Sequence, residues 1–251
     1  MSDLHIRRIE ANHTELLTEL WRSAFPGDPS EFIESFFLHL PKNSVTLAGE
    51  CDGELVTMLF LLPAEARFRG KAYPVRYLYA GCTHPRYRGR GYYRELMAVA
   101  AQAVSALDEQ AIYLHPADDM LTVTYQRLGY RVGIFGGEHS HANKTSLACE
   151  AVDDYMQKRD KLINFISQNT VFWNTAEEVT RFFVADAVAR GVRMSVDEDC
   201  VELALNNTVI ESVTSDYSHK NKDYCLWLPI GDTPLTALMA DYDGVTGLVG
   251  D

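Results

Sequence analysis

Between residues 72 and 107 the sequence changes its rhythm, and that change limits the folds open to the chain. Ala72 to Thr83 reads as a β-strand. HPRYRGRGYYRELM follows, from His84 to Met97, with four arginines and two glycines in fourteen positions. From Gly91 onward Leu96, Met97, Ala100, Ala103, Val104 and Leu107 fall three and four apart, which marks one apolar face of a helix. A strand, an Arg/Gly turn and a helix start in succession aim several backbone N–H groups at one point, where the helix dipole adds roughly half a positive charge. Gly89 and Gly91 let a bulky anion approach the backbone, while Arg86, Arg88 and Arg90 supply compensating charge. Phosphate fits such a turn.

Two nucleotide motifs fail on residues. The chain has no G-x-x-x-x-G-K-[ST], and Arg94 stands where a dinucleotide fingerprint needs its third glycine. An RNA-binding Arg/Gly segment is disfavoured, because those are repetitive and sit in basic proteins, whereas this 251-residue chain carries a net charge of −12. The same acidity argues against nucleic acid or an anionic membrane as partner and favours a cationic substrate. A solvated basic turn without ligand stays open on this stretch alone.

The rest of the sequence is globular in type, 47% hydrophobic and 23% charged. His5 to Glu10 reads as a strand. Asn12 to Ala24 and Pro29 to Leu40 read as amphipathic helices broken at Pro26-Gly27-Asp28-Pro29. Ser44 to Glu50 and Glu54 to Arg67 form a hairpin through Asp52-Gly53, and Arg69-Gly70 turns the chain into the strand that ends at Thr83. A strand at Ala111 to His115, a helix capped by Asp118 and stopped at Gly129, and a strand at Tyr130 to Phe135 follow. Beyond Gly136-Gly137 the spacing predicts helices near Ala151 to Ile166 and Thr175 to Arg190, then strands near 201–205, 209–214 and 224–228. From residue 151 onward there are 17 acidic and 8 basic residues. That shift sets the expected boundary: one α+β domain over 1–145 and a smaller, acidic α+β domain over 146–251.

Cys51, Cys82, Cys149, Cys200 and Cys225 are scattered and never form C-x-x-C, so neither a disulfide framework nor a thiolate zinc site is indicated. His139 and His141 have no third ligand at a known spacing, and no metal is expected. The charged start, MSDLHIRRIEANHTE, does not resemble a signal peptide, and the longest apolar run, Val56 to Pro63, is too short to span a bilayer. Residence in the cytoplasm is the expectation.

Residues 76–135 resemble the GNAT acetyltransferase superfamily. Its signature, Arg/Gln-x-x-Gly-x-Gly/Ala, matches Arg86-Tyr87-Arg88-Gly89-Arg90-Gly91, and its tyrosine-x-x-x-glycine-aromatic ending matches Tyr125 to Tyr130. Gly-Tyr-Tyr-Arg-Glu-Leu-Met and the long C-terminal extension are similar to the enhanced intracellular survival branch, though this chain is shorter. The resemblance implies a mixed, mostly antiparallel sheet flanked by helices; a degenerate GNAT-like half is one form the C-terminal domain can take. It also implies an acetyl-CoA co-substrate, touched by Gly81, Cys82 and Thr83 on the strand and by Arg88, Gly89, Arg90, Gly91, Tyr92 and Tyr93 at the phosphates. Many relatives carry a small residue at the position of Tyr93, so the ring there is a departure.

The implied reaction is direct transfer of the acetyl group to a primary amine of a small molecule or peptide. With an amine pKa of ~10.4, reaching the neutral form near pH 7 costs roughly 4–5 kcal/mol, so a base or an acidic environment is required. Tyr125 is the candidate acid for the departing thiolate, a phenol being protonated at neutral pH; the other reading is a core aromatic. The base stays open among Glu54, Glu65, His84, His115, Asp118 and Glu138, with the terminal carboxylate of Asp251 added by the resemblance. Cys82 reads as a small buried strand residue rather than a nucleophile. The alternative function is a non-catalytic CoA-binding or regulatory module whose C-terminal domain binds a partner. A homodimer through a sheet edge or the C-terminal domain is compatible with the sequence.

Overall fold

A computed structural model of the chain describes residues 4–9, 14–134, 147–149, 151–168, 171–196, 200–205, 208–214 and 224–243. Glu138, His139, His141 and Asp251 lie outside them.

The first half follows the predicted order: β1 (His5–Ile9), α1 (Thr14–Ala24), α2 (Ser30–His39), β2 (Val45–Cys51), β3 (Glu54–Phe68), β4 (Lys71–Thr83), a 3-10 turn at Pro85–Tyr87, α3 (Tyr92–Ser105), β5 (Ala111–Leu114), α4 (Asp119–Arg127) and β6 (Arg131–Ile134). Both two-residue turns have the chemistry their strands demand. Asp52 and Gly53 lie at φ +54° and +82°, Arg69 and Gly70 at +47° and +73°, and each joins antiparallel neighbours directly.

β3 shows how the layers form. Leu59 and Leu61 join a core with Leu78 of β4, Leu96, Met97, Ala100 and Val104 of α3, and Tyr125 of α4. Their alternate neighbours Met58, Phe60 and Leu62 pack on the opposite face with Leu17, Leu20 and Trp21 of α1 and Ile33 and Phe36 of α2. Period-two alternation thus sends each set to a different helical layer. Each large apolar side chain buried this way contributes about 2 kcal/mol.

The second half departs from the expected separation. It contains β7 (Leu147–Cys149), α5 (Val152–Ile166), β8 (Phe172–Thr175), α6 (Glu177–Ala189), β9 (Arg193–Val196), β10 (Cys200–Leu205), β11 (Thr208–Thr214), β12 (Tyr224–Pro229) and α7 (Pro234–Asp243). Four of these strands form an antiparallel sheet in the order β11-β10-β9-β7. The other two cross the line at 145/146. β12 inserts between β5 and β6, giving the main sheet the order β1-β2-β3-β4-β5-β12-β6, and β8 pairs with β3 at Ala64–Arg67. The cause is burial: Trp173, Cys225, Trp227, Leu235 and Met239 share one core with Ala66, Phe68, Val75, Ala111 and Tyr113. Residues between β6 and β12 therefore interrupt the first sheet instead of following a finished one. β7, β8, β9 and α7 were not anticipated from sequence.

Candidate active site

β4 and β5 run parallel but pair only at Arg76 with Ile112 and Tyr77 with Tyr113. A bulge helps to part them. Phe60 faces Tyr79 and Met58 faces Cys82, so Ala80 and Gly81 together oppose Leu59, and Ala80 adopts φ +46°. The cleft beside this bulge has a volume of about 280 Å³. Tyr77, Tyr79, Ala80 and Gly81 line it from β4, His115 and Pro116 from the end of β5, Leu121 and Tyr125 from α4, and Trp21, Phe25 and Asp28 from α1 and the turn after it.

The Arg/Gly turn leads from the end of β4 into α3. Gly89 and Gly91 take φ +77° and +87°, and a Cβ built on Gly89 meets nothing within 4 Å, so this backbone faces open space. The first backbone bond of α3 is Glu95 N–H to Gly91 O, 3.1 Å, which leaves Tyr93 and Arg94 in the turn where helix N–H groups lack intrahelical acceptors. Arg88 Nε donates to Thr83 O at 3.2 Å, and Arg90 lies 4.9 Å from the Tyr87 ring centroid. Exposed Arg86 pairs with Glu54, which also accepts from Tyr87 Oη at 2.7 Å. The turn is thereby tied to the start of β3, with its basic face outward.

The structure sorts the expected contacts by chemistry. Gly81 lines the cleft, and Thr83, Arg88, Gly89, Arg90 and Gly91 gather at the turn. Cys82 packs in the α1–α2 core, and burial pushes its thiol up to about 12, so it is protonated and unreactive near neutral pH. Tyr92 is buried beside Cys51 and Val56. The Tyr93 ring passes beneath β4, where a Cβ on Gly81 would overlap its hydroxyl. Both tyrosines can offer the turn only their main chain.

A GNAT acetyltransferase domain model matches residues 5–133, just over half of the chain. The chain belongs to the GNAT acetyltransferase family. No curated protein matches its sequence. A probable N-acyltransferase from Enterococcus faecalis V583 shares the fold at TM-score 0.63 and 15% identity, over 88% of this chain and 60% of that one. A GCN5-related N-acetyltransferase from Kribbella flavida does so at 0.61 and 17%, over 85% and 57%. Eis1 from Mycobacterium abscessus, from the branch the sequence resembles, gives 0.57 and 16%, over 80% and 52%. This chain thus spans about three-fifths or less of the length of these structures. The family match ends at residue 133, whereas the GNAT sheet here is completed by β12.

Tyr125, on α4, stands on the wall of the cleft in this GNAT fold. Burial pushes its phenol above the ordinary value, and a hydrogen bond with Tyr93 draws it partly back. The two hydroxyls are 2.9 Å apart. Most base candidates are committed elsewhere. Glu54 holds the Arg/Gly turn, Glu65 pairs with Arg67, His84 Nδ1 accepts from Arg86 N–H at 3.2 Å, and Asp118 caps α4 by accepting from Leu121 N–H at 2.7 Å. His115 is the member of that set, among the described residues, that lines the cleft. Sequence reasoning missed Asp28, whose Oδ2 accepts from Trp21 Nε1 at 2.8 Å. Read locally it was one more turn residue between Gly27 and Pro29.

Among the described residues no group of three or more His, Cys, Asp or Glu side chains is placed to hold a metal ion, and no helix is long and apolar enough to cross a membrane.

Proposed function

We propose that the chain is an N-acetyltransferase that moves the acetyl group of acetyl-CoA directly to a small, cationic primary amine. The observation that carries this reading is the joining of an open Arg/Gly helix start to the parted β4–β5 cleft, with Tyr125 on its wall.

The residues fit the co-substrate. Gly89 and Gly91 are both left-handed, the backbone at Gly89 faces open space, and Arg88 and Arg90 stand beside it for the pyrophosphate. Acetyl-CoA supplies an activated thioester. The bulge at Ala80-Gly81 frees β4 main chain to polarise a carbonyl. Tyr125 Oη holds the proton that the departing sulfur requires.

The acceptor's side of the cleft combines rings with one carboxylate. Trp21, Phe25, Tyr77 and Tyr79 surround an apolar body, and Asp28 attracts its ammonium group. Asp28 is among the groups that raise the Tyr79 phenol, after burial and Tyr77, with Arg190 opposing it. His115 is the base assigned to take the amine proton, histidine being the side chain suited to that exchange near neutral pH. A volume of about 280 Å³ suits a small amine. The buried free thiols of Cys51, Cys82 and Cys225 support residence in a reducing compartment such as the cytoplasm.

Thiol release from acetyl-CoA is the test, with 2-phenylethylamine, a linear polyamine and an anionic amino acid as acceptors. Turnover should favour the first two, and Asp28→Asn should raise the acceptor KM roughly tenfold, the loss of one charge-assisted contact. Tight CoA binding without turnover on any amine would instead support the non-catalytic module.

A further inference from the structure

The Tyr93 hydroxyl has no part in holding phosphate. It lies under β4, so close to Gly81 that a methyl group there would overlap it, with Leu78 on the same side. Its ring meets that of Tyr125 edge-on at 6.2 Å, and the two Oη atoms are 2.9 Å apart. Only Tyr125 of the pair lines the cleft.

We propose that Tyr93 is a positioning residue for Tyr125: pinned beneath Gly81, its hydroxyl donates to Tyr125 Oη and stabilises the tyrosinate left when Tyr125 gives its proton to the departing sulfur. This rests on Tyr125 being the acid. The direction of the bond follows from the surroundings. Tyr125 has the cleft toward which to point its own proton, whereas the hydroxyl of Tyr93 is enclosed under the strand. Burial, then Tyr125 itself, holds the Tyr93 phenol far above its ordinary value, so when one of the two ionises it is Tyr125.

The step balances without another reagent. The amine nitrogen forms the C–N bond, the C–S bond breaks with its electron pair on sulfur, and sulfur takes the Tyr125 proton. The proton lost by the amine passes to the base and restores Tyr125 through solvent. Tyr93 keeps its proton throughout and shortens its bond to the anion.

The same geometry accounts for the large residue after Gly91-Tyr92. A small side chain at position 93 would serve the phosphate turn equally well through its N–H, but would leave Tyr125 without this donor. Cys82 on β4 also raises the Tyr125 phenol, Tyr125 in turn raises those of Tyr77 on β4 and Tyr130 beyond α4, and His115 and Asp28 share the cleft walls with it.

Tyr93→Phe keeps the ring and removes the hydroxyl. With acetyl-CoA and 2-phenylethylamine, we expect kcat to fall roughly tenfold, as for loss of a hydrogen bond to a charged group, with the KM for acetyl-CoA within about twofold. The alkaline limb of the kcat profile should move up by about one pH unit, because the Tyr125 anion has lost its donor. Ultraviolet titration of tyrosinate without substrate, as the difference from Tyr125→Phe, should show the same shift. In a Tyr125→Phe background, Tyr93→Phe should change kcat less than about twofold. If Tyr125→Phe lowers kcat strongly while Tyr93→Phe leaves both the rate and the alkaline limb in place, Tyr93 only packs and the proposal is overturned. Unchanged kcat in Tyr125→Phe would remove the acid itself, a separate failure. Should Tyr93→Phe not fold, the titration of Gly81→Ala, which displaces the hydroxyl, takes its place with the same upward shift expected and an unmoved titration overturning the proposal.

Discussion

Replacing Gly81 with alanine tests the joint between strand and helix at its tightest point. The added Cβ would overlap Tyr93 Oη and lie 3.0 Å from Leu78 Cδ2 and 3.1 Å from Tyr93 Cζ. No backbone strain enters, since Gly81 is not among the positive-φ glycines. The effect is overpacking, which costs about 1–3 kcal/mol. In a chain of this length that lowers Tm by roughly 2–4 °C per kcal/mol, so a drop of about 2–12 °C is expected. The displaced ring also lengthens the Tyr93–Tyr125 bond, and kcat should fall with Tm. Adding Tyr93→Phe removes the overlapping oxygen and leaves two contacts that need only a few tenths of an ångström of adjustment. The double variant should therefore recover at least half of the lost Tm, a coupling of about 1–2 kcal/mol between the sites. Paired thermal melts followed by circular dichroism measure this directly. A Gly81→Ala protein that melts like the parent, or a double variant no better than the single one, would refute the reasoning.

Arg76 and Glu109 pair at 2.6 Å with side chains only 5% and 14% exposed, and Arg76 Nη1 also donates to Asn43 O at 2.7 Å. Glu109→Ala should cost about 2–3 kcal/mol by leaving the buried guanidinium only partly compensated, as read from urea midpoints. Burial raises the phenols of Tyr77, Tyr79, Tyr93, Tyr125 and Tyr130 and the thiols of Cys82 and Cys225. The folded chain keeps protons that the unfolded chain releases near pH 8.5–10, so stability is full below that range and falls above it by about 1.4 kcal/mol per pH unit for each such group. The urea midpoint at pH 10.5 should accordingly lie well below that at pH 8; an equal midpoint would contradict the burial of these groups. Truncation after residue 145 removes β8 and β12 and exposes Tyr113, Ala111 and Val75, and the product should bind a hydrophobic dye and aggregate where the full chain does not.

Much of the first half was legible because its signals are local. Asp52-Gly53 and Arg69-Gly70 specify tight hairpin turns in any context, and the three- and four-residue spacing from Leu96 to Val104 specifies one buried helix face. The Arg/Gly run from Arg86 to Gly91 likewise marks the turn into α3 from neighbours in sequence. Tertiary structure alone decided what those signals meet. Tyr224 to Leu228 reads as a strand, but nothing in those residues names β5 and β6 as partners; that pairing follows from burying Cys225 and Trp227 against Tyr113 and Trp173. The same holds in the cleft. Tyr93 lies 32 positions from Tyr125 in sequence and 2.9 Å from it in space, and Asp28 joins the wall only because α1 and its turn pack over β4. Turn and helix preferences act between adjacent residues, whereas a site assembled from α1, β4, α3 and α4 depends on chain closure and packing, which no short stretch of sequence encodes.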